Sequence, residues 1–144
     1  LLIYILAIGG TAFLVGSALF FAARTQAPSA QDIRAAKERA LSKVVLDSEG
    51  NPMISQDSVQ SYLLADTAQY RIVYQKAFDA FYIGIGEPPF EKTREEAELA
   101  FLGLLETDKR VACGLRVRVT GGPEANPGHA GEYYPLSFCK NKQE

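Results

Sequence analysis

The chain has 144 residues, with 15 Lys and Arg against 17 Asp and Glu, so its net charge is −2. Near-neutrality without a basic stripe argues against a nucleic-acid binder. All the charge follows Ala23; the preceding stretch is wholly uncharged.

That stretch, Leu1–Ala23, reads LLIYILAIGGTAFLVGSALFFAA and is closed by Arg24. A helix of this length rises about 1.5 Å per residue and just crosses a hydrocarbon core of roughly 30 Å. The sequence therefore predicts one transmembrane helix over residues 1–24. Gly9, Ala12, Gly16 and Ala23 form a small-residue stripe. Such stripes let helix backbones approach in lipid, so partners are expected among other integral membrane subunits, with membrane lipid around them.

Two signals for sidedness conflict. Arg24, Arg34, Lys37, Arg39 and Lys43 follow the apolar stretch closely, and positive flanks favour the cytoplasm. Cys113 and Cys139 are the only cysteines, and a disulfide would favour an oxidising compartment. The cysteine argument prevails, placing the following domain outside the cytoplasm, which is the periplasm if the cell is a Gram-negative bacterium.

After the Arg24–Pro28 link, Ser29 with Asp32 reads as a helix cap. Ile33, Ala36, Ala40, Leu41 and Val44 then recur at helical spacing. Residues 25–43 are thus read as a juxtamembrane amphipathic helix, and residues 44–144 as an α+β extracytoplasmic domain. Val44–Asp47 and Pro52–Ser55 flank Ser48-Glu49-Gly50-Asn51, which predicts a short hairpin.

From Asp57 the apolar positions fit a helical stripe, interrupted at Asp66-Thr67-Ala68-Gln69, itself the pattern of a capping box. Either one kinked helix or two helices, about 58–65 and 67–82, are predicted. The second would line up Tyr70, Tyr74, Phe78 and Phe81 as a core stripe or a partner-docking face. Gly84 and Gly86 follow a predicted helix rather than a strand, so they carry no nucleotide fingerprint. Thr93-Arg94-Glu95-Glu96 predicts a helix to about Asp108, whose early Glu95, Glu96 and Glu98 complement the helix dipole.

Residues 111–120 alternate strictly, with Val111, Cys113, Leu115, Val117 and Val119 on one face and Arg116, Arg118 and Thr120 on the other. This predicts a half-buried strand. A Gly- and Pro-rich loop over 121–131 leads to a second strand, Glu132–Cys139. An antiparallel pair with Thr120 opposite Glu132 sets Cys113 opposite Cys139 and Arg118 opposite Tyr134. The expected architecture is therefore a transmembrane helix followed by several helices and a C-terminal antiparallel hairpin pinned by a disulfide. Pro135 makes the last strand an edge.

No nucleophile, phosphate-loop, haem-attachment or metal-ligand motif occurs. His129, the only histidine, lies in the glycine-rich loop. No cofactor, metal or catalytic residue is expected. The expected role is a non-catalytic accessory or structural subunit of a larger membrane complex. The layout of an apolar N-terminal helix, an amphipathic helix, an α+β head and a C-terminal disulfide loop also resembles that of type IV pilins. The resemblance implies, as an alternative, a filament subunit whose Leu1–Ala23 pack in a central bundle. It departs from pilins where they carry a glutamate near the mature N-terminus, since Ile5 and its neighbours are apolar.

Overall fold

The structure, a computed structural model, describes residues 27–55 and 60–139. No helix among them is long and apolar enough to cross a membrane. Leu1–Ala23, with the stripe Gly9, Ala12, Gly16 and Ala23, lies outside the described residues.

Helix α1 spans Ala30–Leu41 and starts as its cap dictates. Ser29 Oγ accepts from the Asp32 amide, and the Asp32 carboxylate accepts from the Ser29 amide. Ala36 and Ala40 are fully buried on its inner side. The hairpin expected over 44–55 is present in reduced form. Asp47 Oδ1 accepts from the Glu49 and Asn51 amides, Gly50 supplies φ +83°, and one bridge joins Leu46 to Pro52. The chain then enters β1, Ile54–Ser55.

The helices expected over 58–82 do not exist. These residues form β2 (Ser61–Asp66), β3 (Tyr70–Gln75) and β4 (Ala80–Ile85). Tyr70, Tyr74, Phe78 and Phe81 do repeat at helical spacing, but Tyr70, Ile72 and Tyr74 also alternate, as do Phe81, Ile83 and Ile85. The strand period wins because these residues supply an entire buried sheet face, rich in the β-branched and aromatic types that suit it. Asp66–Gln69 is not a helix start but the β2–β3 turn. There Thr67 Oγ1 accepts from the Gln69 and Tyr70 amides, satisfying locally the backbone groups a helix would have used.

The sheet has six strands in the order β1-β2-β3-β4-β5-β6, where β5 is Val117–Gly121 and β6 is Tyr133–Tyr134. All neighbours are antiparallel except β4 and β5, which run parallel with Phe81 beside Val117 and Ile83 beside Val119. A parallel pair needs a long crossover. Helices α2 (Phe90–Leu105) and α3 (Lys109–Ala112) provide it. Helix α2 begins a turn earlier than expected, after Pro89, and Thr93 is buried inside it. Phe101, fully buried, sets its ring edge-on to Phe81 at 5.1 Å. The expected succession of helices and one closing hairpin is thus replaced by a mixed sheet with helices on one side.

Residues 111–116 are not strand. Val111 and Ala112 end α3, and Cys113 caps it. Val119 pairs with Tyr134 and Thr120 with Tyr133, one residue off the expected register. A slip of one exchanges faces: Tyr134 turns inward against the Phe90 ring at 5.4 Å and Tyr133 faces out. The Cys113–Cys139 disulfide forms, with Cα atoms 5.6 Å apart, yet it joins a helix end to the C-terminal turn rather than two paired strands.

Truncating Phe81 to Ala should lower the unfolding free energy by about 3–5 kcal/mol, as expected for a buried ring. Phe78→Ala, at a half-exposed ring, should change it by about 0.5 kcal/mol or less. Urea denaturation followed by circular dichroism checks both; equal losses would restore the helical stripe.

Candidate binding face

Helices α1, α2 and α3 all pack on the sheet face that carries Ile72, Ile83 and Val119. Among the described residues no helix covers the other face. Its residues are Leu63, Val73 and Tyr82 across the centre, with Asp66, Arg71, Arg118 and Tyr133 around them. Leu63, Val73 and Tyr82 are only half-buried.

The bare face has two hollows. One, of about 600 Å³, lies against β1 to β3 and is floored by Pro52, Met53, Ile54, Leu63 and Val73. Met53 and Ile54 are 42% and 45% exposed, so the floor is apolar and wet. The Asp66–Arg71 pair sits at its rim, Arg71 Nε and Nη2 donating to the two Asp66 carboxylate oxygens at 3.0 and 2.9 Å. That double hydrogen bond raises the pKa of Arg71.

The second hollow, of about 420 Å³, lies against β3 to β6 and involves Phe78, Tyr82, Arg116, Arg118 and Tyr133. The rings of Tyr82 and Tyr133 meet edge to face at 6.1 Å. The Arg118 guanidinium stands 5.2 Å from the Tyr133 centroid, a cation–π geometry. Arg116 Nη1 donates to the Phe78 carbonyl at 3.1 Å. Neither arginine is ion-paired with a carboxylate among the described residues.

The nearby β3–β4 turn is held rigidly. Lys76–Phe78 make a single 3₁₀ turn, and Asp79 follows at φ +46°. One oxygen of Asp79 accepts from the Tyr74 hydroxyl at 2.6 Å and from Lys37 Nζ at 2.9 Å. The Tyr74 bond, then the Lys37 bond, hold the Asp79 carboxyl below the usual carboxylate range. Burial, then the bond to Asp79, push the Tyr74 phenol up to about 12. Both shifts keep the proton on Tyr74, which suits a fixed turn rather than proton transfer.

The four aromatics expected as one docking face are separated. Tyr74 and Phe81 face each other in the core at 5.1 Å, Tyr70 is half-buried on the same side, and only Phe78 reaches the surface. The hollows replace that stripe as the candidate site. Arg116 and Arg118 were legible as the outward face of an alternating segment; Phe78 was hidden inside the false helical pattern.

A buried ion pair went unrecognised in the sequence. Arg94 Nε donates to Glu98 Oε1 at 2.9 Å, with Glu98 only 2% exposed. The Ser137 amide and hydroxyl both donate to the same carboxylate, and Arg94 Nη2 donates to the Pro135 carbonyl. Glu98 is thus an anchor for the C-terminal segment, not a partner of the helix dipole. The one available signal was the i,i+4 spacing of Arg94 and Glu98. Its oxygens are all engaged and sealed from solvent, so it holds structure rather than substrate. His129 is exposed, as expected, and contacts Glu132 at 3.1 Å. Among the described residues no group of three or more His, Cys, Asp or Glu is placed to hold a metal.

No family model, curated protein or solved structure matches the chain.

Glu98→Ala leaves Arg94 buried without its partner and should cost about 3–5 kcal/mol. The double variant Arg94→Met with Glu98→Leu should recover much of that loss, as denaturant melts of the three chains would show. For the turn, the raised Tyr74 pKa means its contribution to stability is complete below pH 10 and lost as pH rises through about 12. The lowered Asp79 pKa means its contribution is present above 3.8 and lost as pH falls. Asp79→Asn should flatten the acid end of the stability profile and bring the latest-ionising tyrosine down, read from phenolate absorbance.

Proposed function

We propose that the protein is a non-catalytic accessory subunit of a membrane assembly. Its leading apolar stretch holds it at the bilayer, and the bare sheet face docks another subunit. The observation that carries the reading is the open hollow against β1 to β3, in which apolar and polar side chains are mixed. Met53, Leu63 and Val73 floor a concave surface on the side of the sheet that no helix covers among the described residues. An open face of this kind loses apolar area from water when another chain lies on it. The Asp66–Arg71 pair at its rim gives a partner polar register.

The disulfide supports an oxidising compartment and hence an extracytoplasmic domain. The two-residue edges β1 and β6, with Pro135 directly after the latter, are too short for strand addition. Docking through side chains on the flat face is favoured over growth of the sheet. The pilin-like alternative is weakened by Ser29, whose capping box starts α1 afresh after Pro28 instead of continuing a preceding helix.

A photo-crosslinking amino acid at Met53 should give one dominant adduct in native membranes. The same amino acid at Leu99, which is 62% exposed on α2, should give none. Absence of an adduct from Met53, or equal adducts from both positions, would refute face-directed docking.

A further inference from the structure

The second hollow and the turn beside it differ in chemistry from the apolar groove. Phe78 is half-exposed, although its hairpin neighbours Tyr74 and Phe81 are buried. It is not loose. Its carbonyl is taken by Arg116, and the next residue, Asp79, is tied to Tyr74 and Lys37. The turn therefore presents a large ring to the outside in a fixed position. Lys76, Arg116 and Arg118 surround it and are all exposed. The acid in their midst, Asp79, is already satisfied by Lys37. The surface keeps an excess of positive charge around an exposed ring, in a chain that is net negative.

The first described turn of α1 lies on this side. Ile33, at the end of the first turn of α1, lies against Gly114: a Cβ there would stand 2.6 Å from Ile33 Cδ1. Arg116 follows two residues later, and Lys37, one turn further along α1, reaches Asp79. The stretch of α1 from Ile33 to Lys37 thus runs beside both segments that present Arg116 and Phe78. Between Ala23 and Ser29 only the five residues Arg24–Pro28 intervene. Even fully extended they reach about 18 Å at most.

We propose that this end of the domain rests on an anionic lipid surface, with Phe78 entering the headgroup region and Lys76, Arg116 and Arg118 contacting lipid phosphates. The inference rests on the reading that Leu1–Ala23 holds the chain at a bilayer. An aromatic ring with flanking basic side chains suits that boundary: the ring takes the apolar side while the long cationic stems reach phosphates. Arg118 stacked on Tyr133 stands higher on the face and marks the upper limit of contact.

The chain contains no tryptophan, so a single introduced one reports position. Full-length Phe78→Trp and Leu99→Trp chains are reconstituted into vesicles with brominated acyl chains, of phosphatidylcholine alone or mixed with phosphatidylglycerol. Flotation first scores incorporation. The Phe78→Trp fluorescence should be quenched, more so with phosphatidylglycerol, and the Leu99→Trp fluorescence should not. Adding Lys76→Glu and Arg118→Glu, which leave the Arg116 hydrogen bond in place, should abolish the phosphatidylglycerol-dependent quenching. A chain that floats but shows no quenching at position 78, as an acidic protein partner in the hollow would give, overturns the lipid contact while the anchor stands. Quenching independent of phosphatidylglycerol or of the charge reversals overturns the phosphate contacts. A chain that does not float overturns the anchor and this inference with it.

Discussion

The parallel pairing of β4 with β5 is the constraint from which the rest of the fold follows. Antiparallel neighbours can be joined by the tight turns seen at Thr67 and Asp79, but a parallel neighbour cannot. Residues 86–116 must leave the end of β4, travel the length of the sheet and return beside its start. Making that journey as α2 and α3 covers the face that carries Phe81, Ile83 and Val119. Helix α1 fills the remaining space on the same side, where Arg39 donates to the Leu105 carbonyl and Lys43 to that of Gly103. A single crossover can cover only one face. The exposure of Leu63, Val73 and Tyr82 on the other is thus a consequence of topology, not of unfavourable composition.

The return also explains the C-terminal segment. After β6 the chain has few neighbours of its own, and Leu136 is its deepest apolar contact, 3% exposed. Two fastenings hold it to the crossover. Arg94 and Glu98 grip Pro135 and Ser137 from α2, and Cys139 is bonded to the end of α3. Closing that loop stabilises by roughly 3–4 kcal/mol in the chain-entropy model. The ion pair contributes specificity of placement more than net stability, because desolvating both charges offsets much of their attraction. Together they fix the position of β6, and so of Tyr133 at the edge of the cationic hollow.

Local chemistry was legible where one residue settles its own backbone. Ser29 with Asp32 starts α1, and Asp47 with Gly50 makes its turn, because each side chain satisfies amides within four residues. The middle of the chain was not legible, because Tyr70, Tyr74, Phe78 and Phe81 satisfy two periodicities at once. Which one holds depends on pairing with β2 and β5, residues far away in sequence. The disulfide was anticipated from a strand register that the structure lacks. The pairing of Cys113 with Cys139 survives because α3 ends close to where the C-terminal turn must return, not because opposing strands align them. Of the candidate site, the outward Arg116 and Arg118 were readable from alternation, while the apolar floor of Met53, Leu63 and Val73 was hidden. Apolar residues in a sequence read as core, and only the crossover's placement shows which of them the helices leave bare.

The two hollows share one sheet face but call for different neighbours. Around Met53 and Val73 apolar side chains share the hollow with Asp47, Ser61 and the Asp66–Arg71 pair, a mixed lining that a protein surface can match with polar groups of its own. Around Phe78 the charge is not self-neutralised, because Lys37 and Tyr74 already occupy Asp79. A neutral apolar partner seated there would strand Arg116 and Arg118 away from water, at a cost greater than the area gained. An anionic layer that remains hydrated removes that cost, since the guanidinium groups keep their water while facing phosphate. The sheet face thus divides at Gln75, which borders both hollows, into a side suited to burial and a side suited to a wet, charged boundary.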